Sequence, residues 1–459
     1  MSPHIYPDQS MVHLARVTMS FNSGLTLPTV KYTNSIAEEF PNGNRTYKVE
    51  TGITGRYTRD YLPVNCSLTN GAVQDSYLEF SLNSNQLEFI DLNGFVLEMK
   101  IKLQQDGKDL TNTDNVTVID GLGHRILSRC SVFLNGTPCE SNAYYGLINS
   151  IDAYTSMRKG SLSSIGRNML YNDLDAEIYD AVTVDTFTKL TKCQKQIKEE
   201  CAGLLHTMTP LKLNISSADF YLVNGTDMRI RLDLSPAKLI FNAVDATKNY
   251  TYSIENVKLW TQKVTPDQAA LISLNKSLVD NHPIEYIHER PVVKTFVFPT
   301  GHSSLSMDNI FTGVIPHRVY MFFMKQSAVN GVYNVNGAHL PHCSLSSLRM
   351  EINGNTHSAM VSNFPDNAAN MFHHTICNLK DDNNLLTLQS FKNGRTIHSW
   401  DLRSSGCEDV LNVEKSGNLR ISFLTDNPAT ENYTVFIVGI TTGLIEIDGA
   451  RRVKTHYLL

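Results

Sequence analysis

The chain has 459 residues, 41% of them hydrophobic and 19% charged, and a net charge of −5. That length suits two domains of roughly 200 residues rather than one core, and the composition excludes a largely disordered chain. The slightly acidic balance argues against a dedicated nucleic-acid binder, and the sequence has no apolar run of about 18 residues that could cross a membrane as a helix.

In chain order, residues 1–74 show weak patterning and are expected to form an N-terminal arm with little core of its own. The opening Met1-Ser2-Pro3-His4-Ile5-Tyr6 lacks the basic-then-apolar order of a secretory leader. Eight cysteines without a Cys-x-x-Cys pair suggest reduced thiols in an intracellular protein. The run Leu97-Glu98-Met99-Lys100-Ile101-Lys102-Leu103 alternates apolar and charged residues with the period of a strand buried on one face. Ser131-Val132-Phe133-Leu134 is a second strand ending in Asn135-Gly136, a dipeptide suited to a type I′ hairpin turn. Asn-Gly occurs nine times in the chain, so hairpins should be frequent.

A helix is expected over Tyr144–Met157. Another is expected around Lys189–Cys201, where Leu190, Cys193, Ile197, Cys201 and Leu204 recur at helical spacing. Met228-Arg229-Ile230-Arg231-Leu232 returns to strand alternation, and Asn249-Tyr250-Thr251 follows. Thr265-Pro266-Asp267 reads as a helix start, with a hydroxyl cap and a proline in the first turn.

The second half then repeats the first. Leu348-Arg349-Met350-Glu351-Ile352 ends in Asn353-Gly354, a helix is expected over Asn367–Leu379, Leu419-Arg420-Ile421-Ser422-Phe423 alternates, and Asn432-Tyr433-Thr434 follows. Repeats in one order mean a duplicated β-rich unit. The offset between copies falls along the chain: 223 from Val96 to Val319, 218 between the turns, 191 from Met228 to Leu419 and 183 from Asn249 to Asn432. From turn to late strand the first copy spends 93 residues and the second 66, so the first should carry an enlarged loop around the Lys189–Cys201 helix. The expected fold class is all-β: two tandem eight-stranded antiparallel jelly rolls with a few short helices in loops. The expected division is 1–74 arm, 75–263 first jelly roll and 264–459 second jelly roll.

Motifs for chemistry are mostly missing. There is no nucleophile elbow, no His-Glu-x-x-His, no phosphate loop and no dinucleotide fingerprint. His339-x-x-His342-Cys343 offers zinc-type donors, but a fourth ligand is not evident, so the metal question at His339 and His342 stays open and no metal or cofactor is expected. His373 and Cys377 share a helix face, and the plainer reading is an amphipathic helix with a partly buried cysteine. Asp381-Asp382 reads as a solvated turn, and Lys189, Lys192, Lys195 and Lys198 as a solvated helix face. Arg451, Arg452 and Lys454 form the one compact basic cluster near the C-terminus, suited to contact with packaged nucleic acid or an acidic neighbour.

Several segments carry a family resemblance. Tyr252-Ser253-Ile254-Glu255-Asn256-Val257-Lys258-Leu259 with Lys263-Val264-Thr265-Pro266 resembles the join between halves of the hexon-type major capsid proteins of Polintons and adintoviruses. Val293-Lys294-Thr295-Phe296, Asn309-Ile310-Phe311-Thr312-Gly313 and Ile315-Pro316-His317-Arg318-Val319 are similar to that family too, as are Gly417–Ile421 and the ending Gly443–Asp448 with Arg451-Arg452-Val453. The resemblance covers residues 75–459 and departs from the pattern over Thr186–Leu205. It implies a homotrimer, hexagonal in outline, that tiles an icosahedral shell in a virion. It also implies neighbouring capsomers and a single jelly-roll penton protein as partners, and no catalytic residues. A tandem β-sandwich binding carbohydrate or a receptor is the competing reading, with a β-sandwich hydrolase third.

Overall fold

In the computed structural model the described residues are 53–65, 76–83, 85, 87–111, 114–171, 178–193, 204–218, 220–280, 282–361, 364, 367–379, 384–403 and 415–457. The first unit has eight main strands: β1 (Ile53–Tyr61), β2 (Tyr77–Leu82), β3 (Phe89–Gln105), β4 (Leu127–Leu134), β5 (Thr137–Ala143), β6 (Leu204–Pro210), β7 (Met228–Leu234) and β8 (Tyr250–Pro266). The second repeats them as β9 (Ile284–Phe298), β10 (Ser304–Ile315), β11 (Arg318–Lys325), β12 (Leu345–Ile352), β13 (Asn355–Val361), β14 (His398–Asp401), β15 (Lys415–Thr425) and β16 (Tyr433–Ile447).

The pairing is the same in both. In the first unit β1-β8-β3-β6 faces β2-β7-β4-β5, every pair antiparallel. In the second β9-β16-β11-β14 faces β10-β15-β12-β13, again antiparallel throughout. Each is an eight-stranded jelly roll.

Local chemistry explains the repeat. Asn135 and Gly136 have φ of 46° and 79°, Asn353 and Gly354 have 53° and 78°, so both hairpins need two left-handed residues in succession. Each Asn also reaches across to the seventh strand: the amides of Asp227 and Asn418 donate to Oδ1 of Asn135 and Asn353, both at 2.8 Å. That pins the 191-residue correspondence of Met228 and Leu419. Strand alternation then fills each sandwich. Met228, Ile230 and Leu232 meet Leu97, Met99 and Ile101 in one core, and Leu348, Met350, Leu419 and Ile421 line the other. Arg229 and Arg231 turn outward over the rings of Phe133 and Tyr77.

Several expectations change. Ile53–Tyr61, expected within the arm, is the edge strand β1, hydrogen-bonded to β8 over its length; residues 1–52 and 66–75 lie outside the described residues. Counted from the start of the eighth strand, Gln105 opposite Tyr250 matches Lys325 opposite Tyr433, an offset of 220 that moves the partner of Val319 from Val96 to Met99. Strand β8 crosses the expected boundary at 263/264 and runs to Pro266. Asp267, not Thr265, caps the next helix, α3 (Gln268–Val279), its carboxylate accepting the Ala269 amide.

The helices expected after the hairpins are present as α1 (Tyr145–Ser156) and α4 (Ala369–Cys377). The Lys-rich helix is α2 (Val184–Cys193); Ile197 and Cys201 lie outside the described residues, and Leu204 belongs to strand β6. Sixty residues separate β5 from β6, against 36 between β13 and β14, so this loop holds nearly all the surplus.

Candidate functional site

The part of the molecule most distinct from two separate sandwiches is the seam between them. Helix α1 stands in the enlarged loop of the first unit. Gly146 lets it press close, since a Cβ there would come within 2.5 Å of the carbonyl oxygens of both His124 and Leu127. Leu147, Ile151 and Tyr154 on the helix pack against Tyr320, Phe322 and Met324 of β11 and Phe436 and Val438 of β16. Strand β11 is therefore buried on both faces. Val319, Met321 and Phe323 fill the second sandwich, while Tyr320, Phe322 and Met324 fill the seam.

Charged groups cross the seam as well. Asp120 and Arg395 are 3.3 Å apart, their side chains 3% and 4% exposed. The Tyr154 hydroxyl donates to the same carboxylate at 3.0 Å, and the Arg395 guanidinium lies over the Tyr154 ring. Lys325 bridges Asp180 and Glu431 at 2.9 and 3.1 Å. Burial works against its charge, yet the two carboxylates hold its pKa above the ordinary value. Beside them, Arg125 donates to the Gly337 carbonyl at 2.8 Å. None of Asp120, Tyr154 or Arg395 stood out in the sequence. The only trace is that Asp120 is the one charged residue in Val116–Leu122, a stretch otherwise uncharged and mostly apolar.

The candidate residues from the sequence scatter. His342 stacks on Phe364 and accepts the Ser344 amide at 2.9 Å, and burial depresses its pKa. His339 packs against Gly394, and Cys343 is partly buried, with burial pushing its thiol pKa up. Among the described residues no three His, Cys, Asp or Glu side chains gather around a common point fit for a metal ion. His373 and Cys377 do share a face of α4, 3.6 Å apart, but that face is turned to solvent, so the cysteine is exposed rather than partly buried. Lys189 pairs with Asp185 on α2; Lys195, Lys198, Asp381 and Asp382 lie outside the described residues. The basic cluster divides. Arg451 turns back to Asn224 at 2.7 Å, and its carbonyl accepts the Asn135 side chain, so the end of the second unit latches onto the first hairpin. Arg452 pairs with Asp448 and stays exposed, as does Lys454.

Buried histidines give the molecule a pH response. Burial lowers the pKa of His124 to about 4 and of His398 to about 3. The unfolded chain takes up these protons below about 6.5, so stability is full above that pH and falls as pH drops toward the folded values. Glu140, raised by burial to about 7, opposes this, gaining a proton in the fold before it would in the unfolded chain. Two losses against one gain predict a net fall on the order of 1 kcal/mol per pH unit between pH 6.5 and 4.5. His288, His357 and His374 shift in the same direction as His398 and add to the fall. Urea unfolding at stepped pH reads the slope, and His398→Leu should flatten it; an unchanged slope in the variant would remove His398 from the account.

Solved structures share the fold. A chain of the Sputnik virophage matches with a TM-score of 0.61 at 13% identity, covering 93% of this chain and 94% of that one. The fold is that of double jelly-roll viral capsid proteins. The Faustovirus major capsid protein matches the double jelly roll with a TM-score of 0.55 at 10% identity, over 85% of this chain and 90% of that one. The PBCV-1 virus capsid gives 0.52 at 10% identity, over 88% and 96%. No protein-family model matches the chain, and no curated protein matches it in sequence. The likeness thus lies in the backbone path of the double jelly roll, with side chains largely replaced.

Proposed function

We propose that this chain is the major capsid protein of a DNA virus or virus-like transposon of the Polinton and adintovirus kind, forming pseudo-hexagonal homotrimers that tile an icosahedral shell. The observation that carries the reading is one eight-stranded topology built twice in a chain and fused by a buried seam. Three such chains place six similar sandwiches around a threefold axis, so a closed cyclic oligomer can fill a sixfold lattice position. The role is structural rather than enzymatic, and its place is the virion.

The structural units of the reading are residues 53–266 and 284–447, with α3 between them. Ile272 and Val279 on α3 are 67% and 79% exposed, apolar positions suited to cover by neighbouring capsomers. A single jelly-roll penton protein would close the vertices. Arg452 and Lys454 remain the groups for a weak contact with packaged double-stranded DNA, and residues 1–52 for contacts along neighbouring subunits or under the shell.

Size-exclusion chromatography with light scattering and negative-stain microscopy test this. The full chain should run as a trimer and form shells at high concentration; a persistent monomer would overturn the proposal. Deleting residues 1–52 leaves β1 in place, so the chain should fold yet assemble poorly. Unimpaired assembly of that truncation would sink the arm's role alone.

A further inference from the structure

The seam contains a cleft of about 600 Å³, within the range of small-molecule sites. One wall is apolar and comes from both units: Leu147 of α1, Met324 of β11, Phe436 of β16, and Val329 in the short helix Gln326–Asn330 after β11. The other end is cationic. Arg125 lines it, and its Nε is buried with no hydrogen-bond partner. Asp120, the carboxylate whose charge reaches Arg125, is already bonded to Arg395 and Tyr154. Arg129 lies at the rim together with Asp233, whose carboxylate is held by Arg231 at 2.9 Å.

The first turn of α1 completes the cationic end. Tyr144, Gly146 and Leu147 line the cleft, no side chain caps this helix, and no acidic residue occupies its first turn. The unpaired amides there carry the positive end of the helix dipole.

We propose that this cleft binds a fatty acid, the carboxylate at Arg125 and the start of α1, the chain along Leu147, Met324 and Phe436. A carboxylate supplies a charged acceptor to a part-buried guanidinium whose hydrogen bond in the seam goes to the neutral Gly337 carbonyl, and it balances a cluster in which two arginines share one aspartate. The alkyl chain takes apolar wall out of water. Neutral apolar ligands meet only half of this chemistry, and small anions only the other half. Because both units form the walls, the ligand would brace the seam, whatever the chain assembles into.

Dodecanoate and dodecanol, titrated calorimetrically into delipidated full-length protein, read the proposal. Dodecanoate should bind saturably, one per chain, and dodecanol about tenfold or more weaker, since the alcohol leaves the cation without a charged partner. Arg125→Met should lower dodecanoate binding to the level of dodecanol and leave dodecanol unchanged. Should that variant not fold, Val329→Phe, which narrows the apolar wall at a half-buried position, should weaken both ligands. Equal affinity for the two ligands, non-saturable uptake, or a Val329→Phe variant that binds as the parent does would each overturn it. So would retention of the protein on anionic phospholipid vesicles without uptake of free dodecanoate, which would mark a membrane surface as the true partner.

Discussion

Asp120→Asn is expected to cost about 3–5 kcal/mol of folding stability, the range for breaking one partner of a buried ion pair. The substitution leaves the Arg395 guanidinium, 4% exposed, without its counter-charge, and Asn cannot accept from Tyr154 and Arg395 as a charged group does. Arg395→Met should cost less than Asp120→Asn but still destabilise, because the Asp120 carboxylate loses its direct ion-pair partner while Tyr154 and the charge of Arg125 still face it. The double variant Asp120→Leu/Arg395→Met should be milder than either single change, since well-packed apolar residues can replace a buried pair at little cost. Chemical denaturation of the parent, Asp120→Leu, Arg395→Met and the double variant forms a double-mutant cycle. A single variant within about 1 kcal/mol of the parent would place the pair among the near-neutral surface contacts instead.

Neighbouring phenylalanines on β11 provide the second large effect. Phe322 and Phe323 are both fully buried, yet Phe322 stacks on Phe436 in the seam while Phe323 meets Phe423 edge-on within the second sandwich. Each change to alanine should cost about 3–5 kcal/mol, from lost burial and the cavity left behind. Their consequences should differ in kind. Phe323→Ala weakens the second jelly roll as a body. Phe322→Ala weakens the union of the two, so unfolding should split into two transitions and proteolysis should begin in the enlarged loop around α1 and α2. Identical single transitions for both variants would contradict the assignment of adjacent side chains to separate cores.

Much of the fold was legible because jelly-roll strands bury one face each. Met228–Leu232 and Leu419–Phe423 advertise their inward residues at every second position, and Asn135-Gly136 and Asn353-Gly354 mark turns only a few residue types can make. These are local signals, set by neighbours in the chain. Duplication made them stronger, since a pattern that recurs in order is harder to produce by chance.

What the sequence by itself determined is the β class, the two copies, the paired hairpins and the longer loop in the first copy. The tertiary structure alone decided three things. Strand β1 reads Ile-Thr-Gly-Arg-Tyr-Thr-Arg-Asp-Tyr with little burial along it; it belongs to the sheet through backbone hydrogen bonds to β8, some two hundred residues away, and such bonds leave no mark on side-chain pattern. Strand β11 lost its alternation because α1, from the other unit, covers its second face. Asp120 and Arg395 look like ordinary polar residues until folding brings them together across 275 positions. Local periodicity reports which face of a strand is dry, but a seam forms between surfaces that are distant in the chain, and only the folded arrangement brings them into contact.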